Sequence, residues 1–358
     1  MNSIAALGSV RGLIGAVVKD WARYRRALNA PGSQYLSLCN RNERLDLPPD
    51  GCGVRCDWQW TSDLHAPKQL PSLGLGLLRR SLGEHPIQRR AEPSSPSRTP
   101  DITFLIGHRG LSRLQHLLAT LESIAGQRDV AFECVVVEQD EVPAARERLP
   151  HWVRHVHTPP PVPGMPYCRA WTYNAGARHA RGRILVLHDN DMLVPMDYGR
   201  EIARRVDEGS EIVNLKRFVF YLGEVHTGRI FERGAAIDTS PPEAIVQNLE
   251  AGGSVAITAE AYQRIGGMDE GFVGWGGEDN EFWERAQTLS VWPYGYLPLV
   301  HLWHAPQPEK VQQQPATLDY YRARSKVPAA VRIEELTARD FGNPTGPDPR
   351  WSPGVTNG

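Results

Sequence analysis

With 358 residues and a formal net charge of −1, the chain carries no global field that would draw it to nucleic acid or an anionic surface, so any anionic ligand must be held by a local site. Hydrophobic residues at 41% and charged residues at 23% are ordinary for a globular protein, and the length allows about two domains or one large α/β domain with extensions. The five cysteines, Cys39, Cys52, Cys56, Cys134 and Cys168, are odd in number and irregularly spaced, which argues against a disulfide framework and for reduced thiols.

The chain holds no apolar run long enough for a transmembrane helix. Residues 4 to 18 are mildly apolar but broken by Arg11 and glycines, with no convincing cleavage site. Lys19, Arg23, Arg25 and Arg26 follow, with Trp21 and Tyr24 among them. This reads as a helix packed on the protein, with an interfacial membrane helix as the alternative. Residues 1–90 lack clear periodicity and are expected to be an N-terminal extension. Residues 91–100 (AEPSSPSRTP) have a linker's composition. Cys52 and Cys56 lack the second ligand pair that a zinc finger needs.

A new rhythm begins at Asp101. Ile102 to Ile106 is a short apolar run ending at Gly107, a buried-strand pattern, and Leu111, Leu114, Leu117, Leu118, Leu121 and Ile124 form a helical stripe. Phe132 to Val137 reads as a second strand, 169 to 181 as a helix and Ile184 to Leu187 as a third strand. Alternating strand and helix implies a doubly wound, mostly parallel sheet with helices on both faces. Further on, 197–208 reads as a helix, 212–222 as a strand, 223–250 as loop or an acceptor-facing insertion, Ser254 to Thr258 as a strand and Ala259 to Ile265 as a helix closed by Gly266-Gly267. The domain so outlined spans 101–306. Residues 307–358 are expected to be a C-terminal extension, with a disordered tail from 342.

In such sheets, ligands bind beyond the carboxyl ends of the strands. The polar residues there are His108-Arg109, Glu138-Gln139-Asp140 and His188-Asp189-Asn190-Asp191. Asp189 and Asp191, at i and i+2 past a hydrophobic strand, can converge on one hard divalent cation, and oxygen ligands suit Mg²⁺ or Mn²⁺. His301 and His304 form an H-x-x-H pair that can complete such a shell; a histidine satisfied in a Trp-rich core is the alternative. Arg109, Arg113 and Arg169 fall near strand ends or helix starts, where a planar guanidinium grips phosphate. Singly, each also reads as a salt-bridge residue. Residues 274–284, Gly-Trp-Gly-Gly-Glu-Asp-Asn-Glu-Phe-Trp-Glu, join a flexible loop, a flat apolar ring and two adjacent carboxylates at a helix start. That combination suits a sugar-facing edge with a hydrogen-bonding group and a general base. The plain alternative is an acidic first turn. The P-loop, dinucleotide and Gly-x-Ser-x-Gly patterns are absent.

Over about residues 101 to 306 the chain resembles metal-dependent glycosyltransferases of the GT-A type. The closest likeness is to β-1,4-galactosyltransferases, to the C-terminal region of polypeptide N-acetylgalactosaminyltransferases and to bacterial polysaccharide enzymes. HDNDMLVPMD (188–197) resembles the metal-binding aspartate motif, EAGGSVAIT (250–258) the acceptor-side Gly-Gly strand, and GWGGEDNEFWER (274–285) the acceptor and catalytic-base signature. The resemblance implies a metal held by Asp191, with Asp189 on the sugar nucleotide or on the metal through water, and His304 as the distal ligand with His301 the alternative. It implies Arg109, Arg113 and Arg169 on the nucleotide, Glu138, Gln139 or Asp140 near uracil and ribose, and Asn174 close to the donor. On the acceptor side it implies Gly252, Gly253, Trp275, Gly276 and Glu278, with Asp279 as the base. Asn280 departs from the pattern, standing where galactosyltransferases often have a third acidic residue. The membrane anchor and disulfides of animal members have no clear counterpart, which points to a bacterial-type, cytoplasmic enzyme.

The expected activity is inverting transfer of a hexose or N-acetylhexosamine from a UDP-sugar, with Mn²⁺ or Mg²⁺, to a glycan or lipid-linked saccharide in surface polysaccharide synthesis. No nucleic-acid partner is expected, and the N-terminal helix leaves room for a peripheral membrane contact. The rivals are a sugar-1-phosphate nucleotidyltransferase, for which His108-Arg109-Gly110 is too sparse a loop, and a non-catalytic carbohydrate-binding protein, against which the intact Asp191, Glu278 and Asp279 argue.

Overall fold

The computed structural model describes residues 12–57, 61–94, 99–232, 234–247, 249–306, 316–343 and 346. Helical backbone runs over 12–29, with a π turn at Ala16–Asp20 leading into α1 (Trp21–Asn29). An antiparallel pair, β1 (Arg44–Asp46) and β2 (Arg55–Asp57), precedes β3 (Ser62–Asp63), α2 (His65–Gln69) and α3 (Pro71–Glu84). Pro71 opens α3, where its missing N–H has no helical partner to lose.

The expected α/β unit follows as β4 (Ile102–His108), α4 (Leu114–Ala125), β5 (Phe132–Glu138), β6 (Arg154–His157), α5 (Arg169–Ala177) and β7 (Ile184–His188). Strands β6, β5, β4 and β7 pair in parallel in that order. Successive side chains of β4 serve two cores. Ile102, Phe104 and Ile106 join Leu117 and Leu121 of α4 on one face, and Leu105 joins Trp171 and Ala175 of α5 on the other. Burial on both faces is why these strands read as continuous apolar runs rather than alternating ones.

The chain continues through β8 (Met192–Leu193), α6 (Tyr198–Asp207), β9 (Ile212–Val213), β10 (Lys216–Tyr221), α7 (Glu224–Ile230), β11 (Ala244–Gln247), β12 (Ser254–Thr258) and α8 (Ala259–Arg264). It ends with α9 (Glu278–Ala286), β13 (Val291–Trp292), β14 (Leu297–His301), α10 (Ala316–Arg324) and α11 (Ala329–Thr337). β12 lies antiparallel between β7 and β9 and completes a seven-stranded sheet, β13-β9-β12-β7-β4-β5-β6. A five-stranded mixed sheet, β3-β11-β10-β14-β8, stands beside it. The single strand expected at 212–222 is therefore two strands in two sheets, and the loop expected at 223–250 holds α7 and β11.

Residues before the composition-defined linker pack into this body. β3 pairs with β11, and Tyr24, Leu73, Leu77 and Leu78 share one apolar cluster with Ile102, Phe218 and Leu299. Arg217 of β10, 2% exposed, donates to the carbonyls of Leu36 and Leu38, both at 2.7 Å. Of the linker itself, residues 95–98 lie outside the described residues. Residues after 306 also contribute. Arg332 of α11 donates to Glu281 (3.1 Å) and Glu284 (2.7 Å) of α9. The first two residues of the tail expected from 342 are held in place: Gly342 N–H donates to Glu270 (2.6 Å) and the Asn343 carbonyl accepts from Trp171 (2.7 Å). Residues 344, 345 and 347–358 lie outside the described residues. The five cysteines form no disulfide. Among the described residues, no helix is long and apolar enough to cross a membrane.

Candidate active site

The carboxyl ends of β4, β5 and β7 open on a cleft of about 640 Å³, as expected for this class of sheet. The floor requires a glycine. A Cβ on Gly107, near the end of β4, would collide with the Tyr167 hydroxyl and Thr172 Oγ1.

One side of the cleft is built by the turn from β7 to β8 and by the end of β14. Antiparallel pairing of these strands sets His301 opposite Met192, and the Leu302 N–H donates to the Asp191 carbonyl (2.9 Å). Asp191 thus faces both histidines, with His301 Nε2 3.8 Å from Oδ1 and His304 Nε2 3.4 Å from Oδ2. Arg113 donates to Asp191 Oδ2 (2.9 Å) and also lies 2.9 Å from His304 Nδ1, which is 2.8 Å from the Ala305 carbonyl, the acceptor that leaves Nε2 unprotonated toward Asp191. Burial alone would raise the Asp191 pKa; His301, Arg113 and His304 outweigh it and hold the carboxyl below its usual range. Burial lowers His304 and so favours the neutral imidazole, the ligating form. Asp191 Oδ1 is buried and accepts no hydrogen bond. A buried, unsatisfied carboxylate oxygen beside two imidazoles fits a divalent cation. Asp189 does not join this group. The chain turns at Asn190, and Asp189 Oδ1 instead accepts from Arg169 Nε (2.9 Å) and the Tyr173 hydroxyl (3.1 Å).

Arg169, first residue of α5, joins the two sides of the cleft. It pairs with Asp189 (2.7 Å), with Asp279 and with Glu278 (3.5 Å). The loop that delivers those last two carboxylates has left-handed backbone at Gly274, Gly276 and Gly277, with φ of 104°, 105° and 93°. Side chains are strained there, so the glycines set the path into α9. A Cβ on Gly277 would also meet Tyr321 at 2.8 Å. Gly276 gives its N–H to Glu278 Oε2 (3.2 Å) rather than lining the cleft. Burial, reinforced by the neighbouring charge of Asp279, pushes Glu278 up to about 7. Trp275, 38% exposed, lines the cleft while its carbonyl accepts from Thr317 of α10. Gly252 and Gly253 complete this wall.

Arg109, Arg113 and Asp140 line the cleft, and Arg109 donates to the Met165 carbonyl at 2.8 Å. Three expected donor contacts fall elsewhere. Glu138 is buried, accepting from the Ala145 N–H (2.9 Å), with His155 Nε2 2.8 Å away. Gln139 is buried and accepts from the Cys168 N–H (2.7 Å). Asn174 is a buried keystone that joins Met268, Glu270 and Tyr262 at 2.5–2.9 Å. The sequence reading missed the cleft tyrosines 167, 173 and 221. It also missed Lys216, which donates to the carbonyls of Glu250 (2.8 Å) and Ser254 and so ties together the ends of the Gly252-Gly253 turn. A lysine at the start of β10, between Leu215 and the apolar run from Phe218, was the available signal.

A family model described as the N-terminal domain of galactosyltransferase matches residues 246–291. Comparison with curated proteins finds no match. Among solved structures, the chain is similar to the catalytic domain of Drosophila β-1,4-galactosyltransferase 7 in complex with xylobiose. That likeness has 15% identity, covers 64% of this chain and 82% of that one, and has a TM-score of 0.35. It is also similar to a mannosyltransferase from Pyrobaculum calidifontis in complex with GDP-mannose and Mn²⁺, at 18% identity, 75% of each chain and a TM-score of 0.40. Scores that low give neither likeness any bearing on the donor or the acceptor. The matched segment holds Gly252, Gly253, Trp275, Glu278 and Asp279, so this part of the chain is similar to that galactosyltransferase family, which supports a glycosyltransferase.

Proposed function

We propose that this cleft transfers a hexose or N-acetylhexosamine from a UDP-sugar, with inversion, to a hydroxyl of a glycan or lipid-linked saccharide. The observation that carries the reading is Arg169, which spans Asp189 on one side and Glu278 and Asp279 on the other. Asp191, His301 and His304 would hold Mn²⁺ or Mg²⁺, which when bound supplies positive charge for the departing diphosphate. Arg109, Arg113 and Arg169 grip the diphosphate, and Asp189 and Asp140 face the rest of the nucleotide. Trp275 stacks on the acceptor sugar. Drawn toward the diphosphate, Arg169 releases Asp279, which accepts the proton of the acceptor hydroxyl. The acceptor oxygen forms a bond to the anomeric carbon as the bond from that carbon to the β-phosphate oxygen breaks, and UDP leaves. Glu278, protonated up to about pH 7, donates a hydrogen bond to the acceptor. The setting in surface polysaccharide synthesis and a cytoplasmic location belong to the same proposal.

The test is a donor screen read as thermal stabilisation, using UDP-galactose, UDP-glucose, their N-acetylhexosamine counterparts and GDP-mannose, each with and without Mn²⁺. Manganese-dependent stabilisation by a UDP-sugar is expected. Stabilisation by GDP-mannose alone would replace the donor, and none by any nucleotide would remove the reading.

A further inference from the structure

The helical segment over 12–29 buries one face and leaves the other bare. Ala16, Asp20, Tyr24 and Ala27 point into the protein, at spacings of four, four and three. Beside that buried face Leu13, Ile14, Val17, Val18 and Trp21 form one exposed stripe, with Ile14 57% and Val18 71% exposed. A contiguous apolar stripe on a helix is a contact surface rather than scattered exposure. Its far end is basic. Lys19, Arg25 and Arg26 are exposed, Arg25 lies 5.2 Å over the Trp21 ring, and these three cations form no ion pair among the described residues. The single acid in the segment, Asp20, is buried against Arg23 (3.5 Å) and Arg41 (3.3 Å).

We propose that this face docks on an anionic lipid bilayer, with the apolar stripe in the headgroup boundary and Lys19, Arg25 and Arg26 on the headgroup phosphates. Charge selects this occupant. A second copy of the chain packed on the stripe would bring no free acid from the same segment to these three cations, because its one carboxylate, Asp20, is buried against Arg23 and Arg41. Residues 1–11 (MNSIAALGSVR) contain no Asp or Glu and offer the rim no countercharge. An anionic bilayer satisfies stripe and rim together, as interfacial helices with a Trp and a basic border do. The surface is independent of the cleft, and it would bring the enzyme to acceptors carried on lipid.

The experiment is co-sedimentation of the full chain with vesicles of phosphatidylcholine alone or with about one-third phosphatidylglycerol, at low and high salt. Binding to the anionic vesicles at least about tenfold above the neutral ones, weakened by salt, is expected. Ile14→Ser with Val18→Ser should abolish it, and Arg25→Gln with Arg26→Gln should remove the anionic preference, with thermal unfolding and transfer to a soluble acceptor unchanged in both. Failure of transfer with binding intact would strike the proposed activity and leave this proposal standing. Three results would overturn the docking: no binding by the folded chain to either vesicle; a dimer in sedimentation velocity that the Ile14→Ser, Val18→Ser pair dissolves; or binding that appears only after residues 1–11 are removed.

Discussion

Glu278 and Asp279 are adjacent, but the fold gives them different surroundings. Glu278 is the more buried and holds the Gly276 N–H, while Asp279 contacts Arg169 and is about one-third exposed. Burial and the charge of Asp279 push Glu278 up to about 7, so it loses its proton as pH rises through neutrality. If its protonated form serves the acceptor, turnover falls above about pH 7, and Glu278→Gln, which keeps a donor, flattens that limb. Rates from pH 5.5 to 8.5 for both proteins check this; an unchanged alkaline limb in the variant excludes Glu278 as its source. Across the cleft, Asp191→Ala removes the only carboxylate of the candidate metal group. Calorimetry should show Mn²⁺-dependent UDP binding weakened beyond the roughly 10–100-fold that supporting partners of metal ligands contribute. Retained affinity would exclude Asp191 as a ligand.

At the scale of elements, α9 carries both acceptor-side carboxylates and is fixed from behind. Glu281 and Arg285 pair at 2.8 Å with neither side chain exposed, and Arg332 of α11 reaches the same carboxylate. Replacing Arg332 with alanine leaves Glu281 with one cation and Glu284 with a lost contact. Breaking a buried pair destabilises by about 3–5 kcal/mol; since Arg285 remains, the low end, about 3 kcal/mol, is expected from denaturant unfolding. Turnover measured well below the melting temperature should also fall, because the start of α9 positions the reacting groups and small displacements there reduce rate steeply. Full activity in a destabilised protein would show that α11 supports the fold but not the geometry of the cleft.

At the scale of the whole molecule, local pattern and long-range packing were legible to different degrees. The strands before Arg109 and Asp189 stood out because a parallel sheet covered on both sides needs unbroken apolar runs. The loop at 274–277 stood out because three of its four residues are glycine, and Gly274, Gly276 and Gly277 take left-handed backbone that glycine follows most easily. Strand-end position did not reveal which way Glu138 and Gln139 point, and both turn into the protein. The N-terminal region hid for another reason. In α3, Leu73, Leu75 and Leu77 alternate with Gly74 and Gly76, which imitates a strand's period, and only the packed structure shows Leu73, Leu77 and Leu78 on one buried face. Those leucines, with Tyr24, cover the cluster that contains Ile102 and Phe218. Each fully buried side chain contributes about 1.5–3 kcal/mol, so together they match a typical domain stability of about 5–15 kcal/mol. Removal of residues 1–90 also takes β3 from the edge of β11. The remaining 91–358 fragment is therefore expected to lose its cooperative thermal transition and near-ultraviolet circular dichroism. A sharp melt with native ellipticity in that fragment would show that the linker at 91–100 is a true domain boundary and that the N-terminal region only rests on a self-sufficient core.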